Sequence, residues 1–132
     1  MPWFLAHARQ LLGERFPGIP MHFDRLDLNR PLMEQGAPDA AYDLVYAVNV
    51  LHAVRDLELS LRRLRRCLRP GGTLLLGEAV RPAPGVPIAP ELVFLMLPEF
   101  RSVKLDAEFR PTGGFLYWGH WAAALRRSGF GP

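Results

Sequence analysis

Apolar and polar positions alternate along this chain in two rhythms, one helical and one of short continuous runs. Over residues 2–16, Leu5, Ala8 and Leu12 recur at i, i+3 and i+7, the spacing of one helix face. Pro2 suits a first helical turn, and Phe16-Pro17-Gly18 stops the helix. The stretch 21–28 alternates poorly and reads as a short extended segment, and 29–41, with Pro and Gly, reads as a loop with room for one helical turn. Residues 42–51 form the strongest strand. Its apolar residues are successive rather than alternating, the habit of a parallel strand covered by helices on both faces. Asp56 stands where a helix N-cap or first turn belongs. Leu57, Leu61, Leu64 and Leu68 then draw one apolar stripe ringed by arginines, and Pro70-Gly71-Gly72 ends that helix. Thr73 to Gly77 is a second buried strand, closing on Glu78.

Downstream the pattern loosens. Pro82, Pro84, Pro87 and Pro90 argue against regular structure in 81–90; 91–97 offers a helical turn or two, and 110–115 a turn. Residues 118–128 predict a last helix with Trp121, Ala124, Leu125 and Ser128 facing inward and Gly129 just past its end. Strand, helix, strand with a helix on either side gives an α/β class with a parallel sheet. No internal repeat interrupts the single domain 1–132.

Composition narrows the function classes. No run approaches the roughly 18 apolar residues of a membrane span, and the first ten residues lack the basic and apolar regions of a signal peptide. The single cysteine, Cys67, excludes an internal disulfide and fits a reducing cytoplasm. The net charge of +3 is carried almost wholly by arginine, Lys104 being the only lysine, and this bias with abundant Ala, Pro and Gly reads as a GC-rich bacterial source. Arg62, Arg63, Arg65, Arg66 and Arg69 cluster. They read as the wet face of a helix; with no aromatic interleaved, nucleic acid is the weaker partner reading. His7, His22 and His120 read as structural or exposed, and no Cys/His cluster at ligand spacing predicts a metal site.

Two blocks carry a family likeness. Tyr42–Ala53 (YDLVYAVNVLHA) resembles the fourth-strand motif of class I S-adenosylmethionine-dependent methyltransferases, and Leu68–Glu78 (LRPGGTLLLGE) resembles their approach to the fifth strand. Residues 2–9 look like the helix after the family's second strand, and 121–130 like its W-x-x-x-L-x-x-x-G-F helix before the sixth. The likeness covers nearly the whole chain. It implies a partial Rossmann-like class I methyltransferase fold, a parallel sheet flanked by helices and lacking strands 1, 2, 6 and 7. Residues 81–116 would then be an insert covering the substrate.

The resemblance is nearest to the C-methyltransferase domains of polyketide synthases and their free-standing relatives. In that branch the histidine closing the first block and the glutamate closing the second act together, and here these are His52 and Glu78. The implied reaction moves the methyl group of S-adenosylmethionine to carbon of a small or carrier-bound acyl substrate. An imidazole takes the proton near neutral pH, and a carboxylate fixes its tautomer. Asp27 and Leu28 resemble the family's adenine-binding pair. Asn49 interrupts an apolar strand near its carboxyl end, the edge where α/β sheets bind ligands, and is placed to contact the cofactor. The competing readings are a backbone-bonded strand-end histidine, an exposed carboxylate, a satisfied core amide and a plain turn aspartate. O- or N-methylation, and a non-catalytic fragment, remain the alternative functions.

The family's Gly-rich cofactor turn and the ribose-binding carboxylate are absent from this sequence. The family sheet runs 3-2-1-4-5-7-6, so without strands 1 and 2 the segment 21–28 would stand roughly 10–15 Å from 42–51. The expectation is therefore a core of strands 42–51 and 73–79 packed by helices 57–68 and 118–128. The first 30 residues would be displaced, with a further chain segment completing the sheet as the partner this topology calls for.

Overall fold

The computed structural model describes residues 2–131. Helix α1 spans Trp3–Arg15, strand β1 Tyr42–Val48, α2 Leu57–Cys67 and β2 Leu68–Gly77. These are followed by β3 (Val80–Arg81), α3 (Ala89–Phe94), α4 (Pro98–Arg101), β4 (Leu116–Tyr117) and α5 (Trp118–Arg127). Single 3-10 turns lie at Met33–Gln35 and Leu51–Ala53.

β1 and β2 pair in parallel, from Leu44 opposite Thr73 to Val48 opposite Gly77, with α2 as the crossover between them. α2 starts where the sequence places it: Asp56 Oδ1 accepts from the Leu59 N–H at 3.0 Å, capping the first turn. Leu57, Leu61 and Leu64 face the core, where they meet Leu51, Trp121 and Ala124. The arginines form the wet face. Arg62 pairs with Glu58, Arg66 with Asp39 and Arg69 with Asp43, and Arg65 Nε donates to the Gly129 carbonyl.

Pro70-Gly71-Gly72, expected to end α2, does not. The helix stops at Cys67, so Leu68, expected on its apolar stripe, and Pro70-Gly71-Gly72 already lie on β2. A Cβ on Gly72 would sit 3.0 Å from the Arg69 carbonyl oxygen and 3.1 Å from that of Tyr42, so the backbones approach as only glycine allows.

The segment 21–28 forms no ladder with β1, as the displaced topology requires. Two further expectations need correction. Residues 81–90 were expected to lack regular structure, yet Val80 and Arg81 pair in parallel with Leu116 and Tyr117 in a second, two-residue ladder. And β1 is covered on one face only. Val45 and Ala47 turn to the core, as do Leu74 and Leu76 of β2, while Leu44 (56% exposed), Tyr46 (65%) and Leu75 (52%) face outward with nothing upon them. α1 likewise forms as predicted but buries none of its residues. No helix of the described residues is long and apolar enough to cross a membrane, and none of their His, Cys, Asp and Glu side chains group in threes to hold a metal ion.

Candidate functional site

The carboxyl ends of β1 and β2 build the site. Asn49, the first residue past β1, takes φ +49, a left-handed conformation that asparagine tolerates better than most residues. Its N–H donates to the Gly77 carbonyl at 2.7 Å and its Oδ1 accepts from the Ala79 N–H at 3.1 Å, so one residue clips both strand ends together. The chain then turns sharply through Leu51–Ala53, and that turn carries His52 back over the end of β2.

Glu78 receives it. Oε1 accepts from the Val50 N–H at 3.0 Å and the Leu51 N–H at 2.8 Å, and Oε2 lies 2.6 Å from His52 Nδ1. With both carboxylate oxygens acting as acceptors, Nδ1 is the donor, which leaves the Nε2 lone pair free in the neutral ring. The two side chains are 5% and 3% exposed, so the pair works in a medium where electrostatic interactions are strong. It has the parts of a general base: an acceptor nitrogen, and a carboxylate behind it that steadies the ring.

Three phenylalanines wall the imidazole. Phe115 stands 4.7 Å from it, Phe100 5.6 Å and Phe94 6.1 Å between ring centres, each edge-on. They come from the end of α3, from α4 and from the approach to β4, and a buried carboxylate on α3 ties the first of these pieces to the last. Glu91, fully buried, accepts from Arg81 Nη2 at 2.6 Å, from the Ile88 N–H at 3.0 Å and from the Phe115 N–H at 2.9 Å. Arg81 in turn donates to Thr112 Oγ1 and to the Gly113 carbonyl. Burial raises the carboxyl of Glu91, but the Arg81 guanidinium and the two N–H donors outweigh it and hold the group below its ordinary value. Gly114 takes φ +88 beside this carboxylate, and a Cβ there would land on Glu91 Oε1.

Arg110 completes the surroundings. Its guanidinium is fully buried, with Nη1 donating to the Val54 carbonyl at 2.8 Å and Nη2 to that of His52. Burial pushes its pKa down to about 10, so it stays charged at neutral pH.

His52, Glu78 and Asn49, all named from sequence, thus meet at one sheet edge. Asp27 and Leu28 lie beside the start of α2: the Leu28 carbonyl accepts from Ser60 Oγ at 3.0 Å, and Asn29 Oδ1 accepts from the Arg55 N–H at 2.7 Å. Asp27 Oδ1 is engaged in its own turn, accepting from the Asn29 N–H at 2.9 Å. The sequence reasoning missed Arg110, Glu91 and Arg81. For Glu91 there was a signal, an acid opening an otherwise apolar stretch; for Arg110 there was none.

A cofactor fits these residues along one edge only. Among the described residues, Asn49 is exposed at the strand end with its side-chain Nδ2 unbonded, and one Asp27 carboxylate oxygen is without a hydrogen bond. A cleft of about 290 Å³ beside the His52 turn is lined by Asn29, Ala53, Arg55, Pro98 and Ser102, with neither Asp27 nor Asn49 in its wall.

Known proteins resemble this chain in sequence and in fold. A family model described as a methyltransferase domain matches residues 2–74. The highly reducing polyketide synthase ltbA of Aspergillus luteorubrus is 37% identical over 97% of this chain, which spans 4% of that protein. That relative is fungal, so it lends the compositional reading of a bacterial source no support. Among solved structures, the CurJ carbon methyltransferase superposes with a TM-score of 0.78 at 31% identity, over 97% of this chain and 32% of that one. The trans-methyltransferase CalH, solved in complex with SAH, gives 0.72 at 28% identity, over 98% and 34%. The chain therefore spans about a third of the solved structures it matches.

Proposed function

This chain belongs to the methyltransferase-domain family, and from that premise we propose that it serves methyl transfer from S-adenosylmethionine to carbon of a small or carrier-bound acyl substrate. His52 is the general base and Glu78 its partner. The observation that carries this reading is the 2.6 Å contact between His52 Nδ1 and Glu78 Oε2, which leaves Nε2 without a protein partner among the described residues. Nε2 accepts the proton from a carbon flanked by a ketone and a thioester. Glu78 stabilises the imidazolium so formed, and the phenylalanine wall keeps water from it. The cofactor, when bound, supplies a sulfonium-activated methyl group as electrophile. Asn49, Asp27 and Leu28 are the residues of this chain that would hold it. The resemblance to polyketide synthase domains supports an acyl substrate on a carrier, and the buried, unpaired Cys67 fits a cytoplasmic setting.

The test is transfer of a labelled methyl group to a β-ketoacyl thioester. His52→Ala removes the base and is expected to lower the rate at least about 100-fold, with Glu78→Gln close behind, in line with the usual yield of general base catalysis. Equal rates in wild type and His52→Ala would sink the base assignment. If His52→Ala slows methylation of an oxygen or nitrogen acceptor only modestly, the O- or N-methyltransferase reading takes its place. The half-built cofactor edge and the bare sheet face favour a second reading, a non-catalytic fragment. Calorimetric titration with S-adenosylhomocysteine separates the two, since the fragment takes up none.

A further inference from the structure

We propose that Arg110 is a positioning residue for the His52–Glu78 pair, its guanidinium holding the turn that aims the imidazole by bridging the carbonyls of His52 and Val54. The turn needs such a support. Its own backbone bonds, Ala53 N–H to Val50 O and Val54 N–H to Leu51 O, are both long at 3.3 Å. From the strand side Glu78 grips the turn through the Val50 and Leu51 N–H groups and the His52 ring. On the opposite side, among the described residues, the His52 and Val54 carbonyls are both held by Arg110, and the Arg55 carbonyl just beyond accepts from the Lys104 N–H at 2.7 Å.

The chemistry of the clamp is unusual for a structural role. Arg110 is fully buried, its Nε has no hydrogen-bond partner, and among the described residues no carboxylate lies within ion-pair distance of it. The Asp56 carboxylate acts on it only from beyond bonding distance. A charge taken out of water without a bonded counter-ion is costly, and an apolar side chain of similar volume would fill the space at lower cost. What the guanidinium supplies, and an apolar chain does not, is a rigid planar fork whose two ends reach carbonyls two residues apart. Its own backbone is anchored by reciprocal bonds with Asp106, 2.9 Å each way. The clamp thus ties the loop before the phenylalanine-bearing segment to the turn under the histidine. The mechanistic meaning of this clamp rests on the reading of His52 as base; its positional meaning does not.

The experiment is proton NMR of the whole chain. A proton on imidazole Nδ1 held in a short bond to a carboxylate resonates far downfield of the amide protons, and it reports the His52–Glu78 pair directly. Wild type is expected to show this signal and His52→Ala to lack it. Arg110→Lys keeps the charge but bonds only one carbonyl, and should broaden or shift the signal while the amide pattern of α5 is retained; Arg110→Met should abolish it. In the methyl-transfer assay both variants are expected to lose about 10-fold or more in kcat with KM changed less than about 2-fold, the mark of lost orientation rather than lost binding. A downfield signal unchanged in folded Arg110→Lys overturns the proposal, as does its absence from wild type. If Arg110→Lys disturbs the signal while Glu78→Gln methylates normally, the positioning role stands and the base assignment fails.

Discussion

Glu78 accepts two backbone N–H bonds and one imidazole bond on a single carboxylate, and that sharing fixes where His52 can point. A second carboxylate, Glu91, fixes the wall opposite. Replacing Glu91 with Gln leaves the Arg81 guanidinium buried without its counter-charge. Loss of a buried pair in this way costs about 3 kcal/mol, to be read from the urea midpoint. The pH dependence has a definite sign. The folded-state carboxyl is held below its ordinary value of 4.5, so its contribution is complete above that value and is lost as pH falls through the lower folded one. Wild type should therefore lose stability between pH 4.5 and that lower value more steeply than Glu91→Gln does. Gly114→Ala forces an L-residue into φ +88 against Glu91, and should cost about 2 kcal/mol or more by the same assay. At this scale the sequence was readable where a motif closes on a chemical residue. His52, Glu78 and Asn49 each end or interrupt an apolar run, and such a break has to have a reason. Arg110 sits in a loop 58 residues from the carbonyl it holds, and no local pattern marks so distant a contact.

Elements start and stop with the sequence where a cap declares them. Asp56 caps the start of α2, and α5 gives way at Ser128 to Gly129 in the left-handed conformation. The end of α2, by contrast, falls at Cys67, short of the expected Leu68. Asp56 has two duties: it caps the Leu59 N–H and pairs with Lys104 at 2.7 Å. Asp56→Ala is expected to cost about 1 kcal/mol, and Asp56→Asn, which keeps the cap but loses the charge, less than half of that; thermal denaturation distinguishes them. The β3–β4 ladder escaped notice because two residues are too few to show a period, and because prolines follow it. Its position is set by tertiary contacts, through Arg81 and the Glu91 hub.

At the scale of the whole molecule, the apolar run of β1 records more layers than residues 2–131 supply. A strand buried on both faces is apolar at every position, and here the outward positions Leu44 and Tyr46 stand more than half exposed, as does Leu75 beside them. A contiguous apolar face of this kind binds hydrophobic dye and favours self-association. The chain should accordingly show dye fluorescence and a concentration-dependent sedimentation coefficient. Leu44→Lys with Tyr46→Lys should suppress both without lowering the denaturation midpoint. Proton abstraction from carbon by His52 is the central step, and deuterium exchange into the α-carbon of a β-ketoacyl thioester in D2O, without cofactor, tests that step alone. Wild type is expected to speed exchange well above the buffer rate, with His52→Ala at background and Glu78→Gln between the two. Exchange as fast in His52→Ala as in wild type would contradict it.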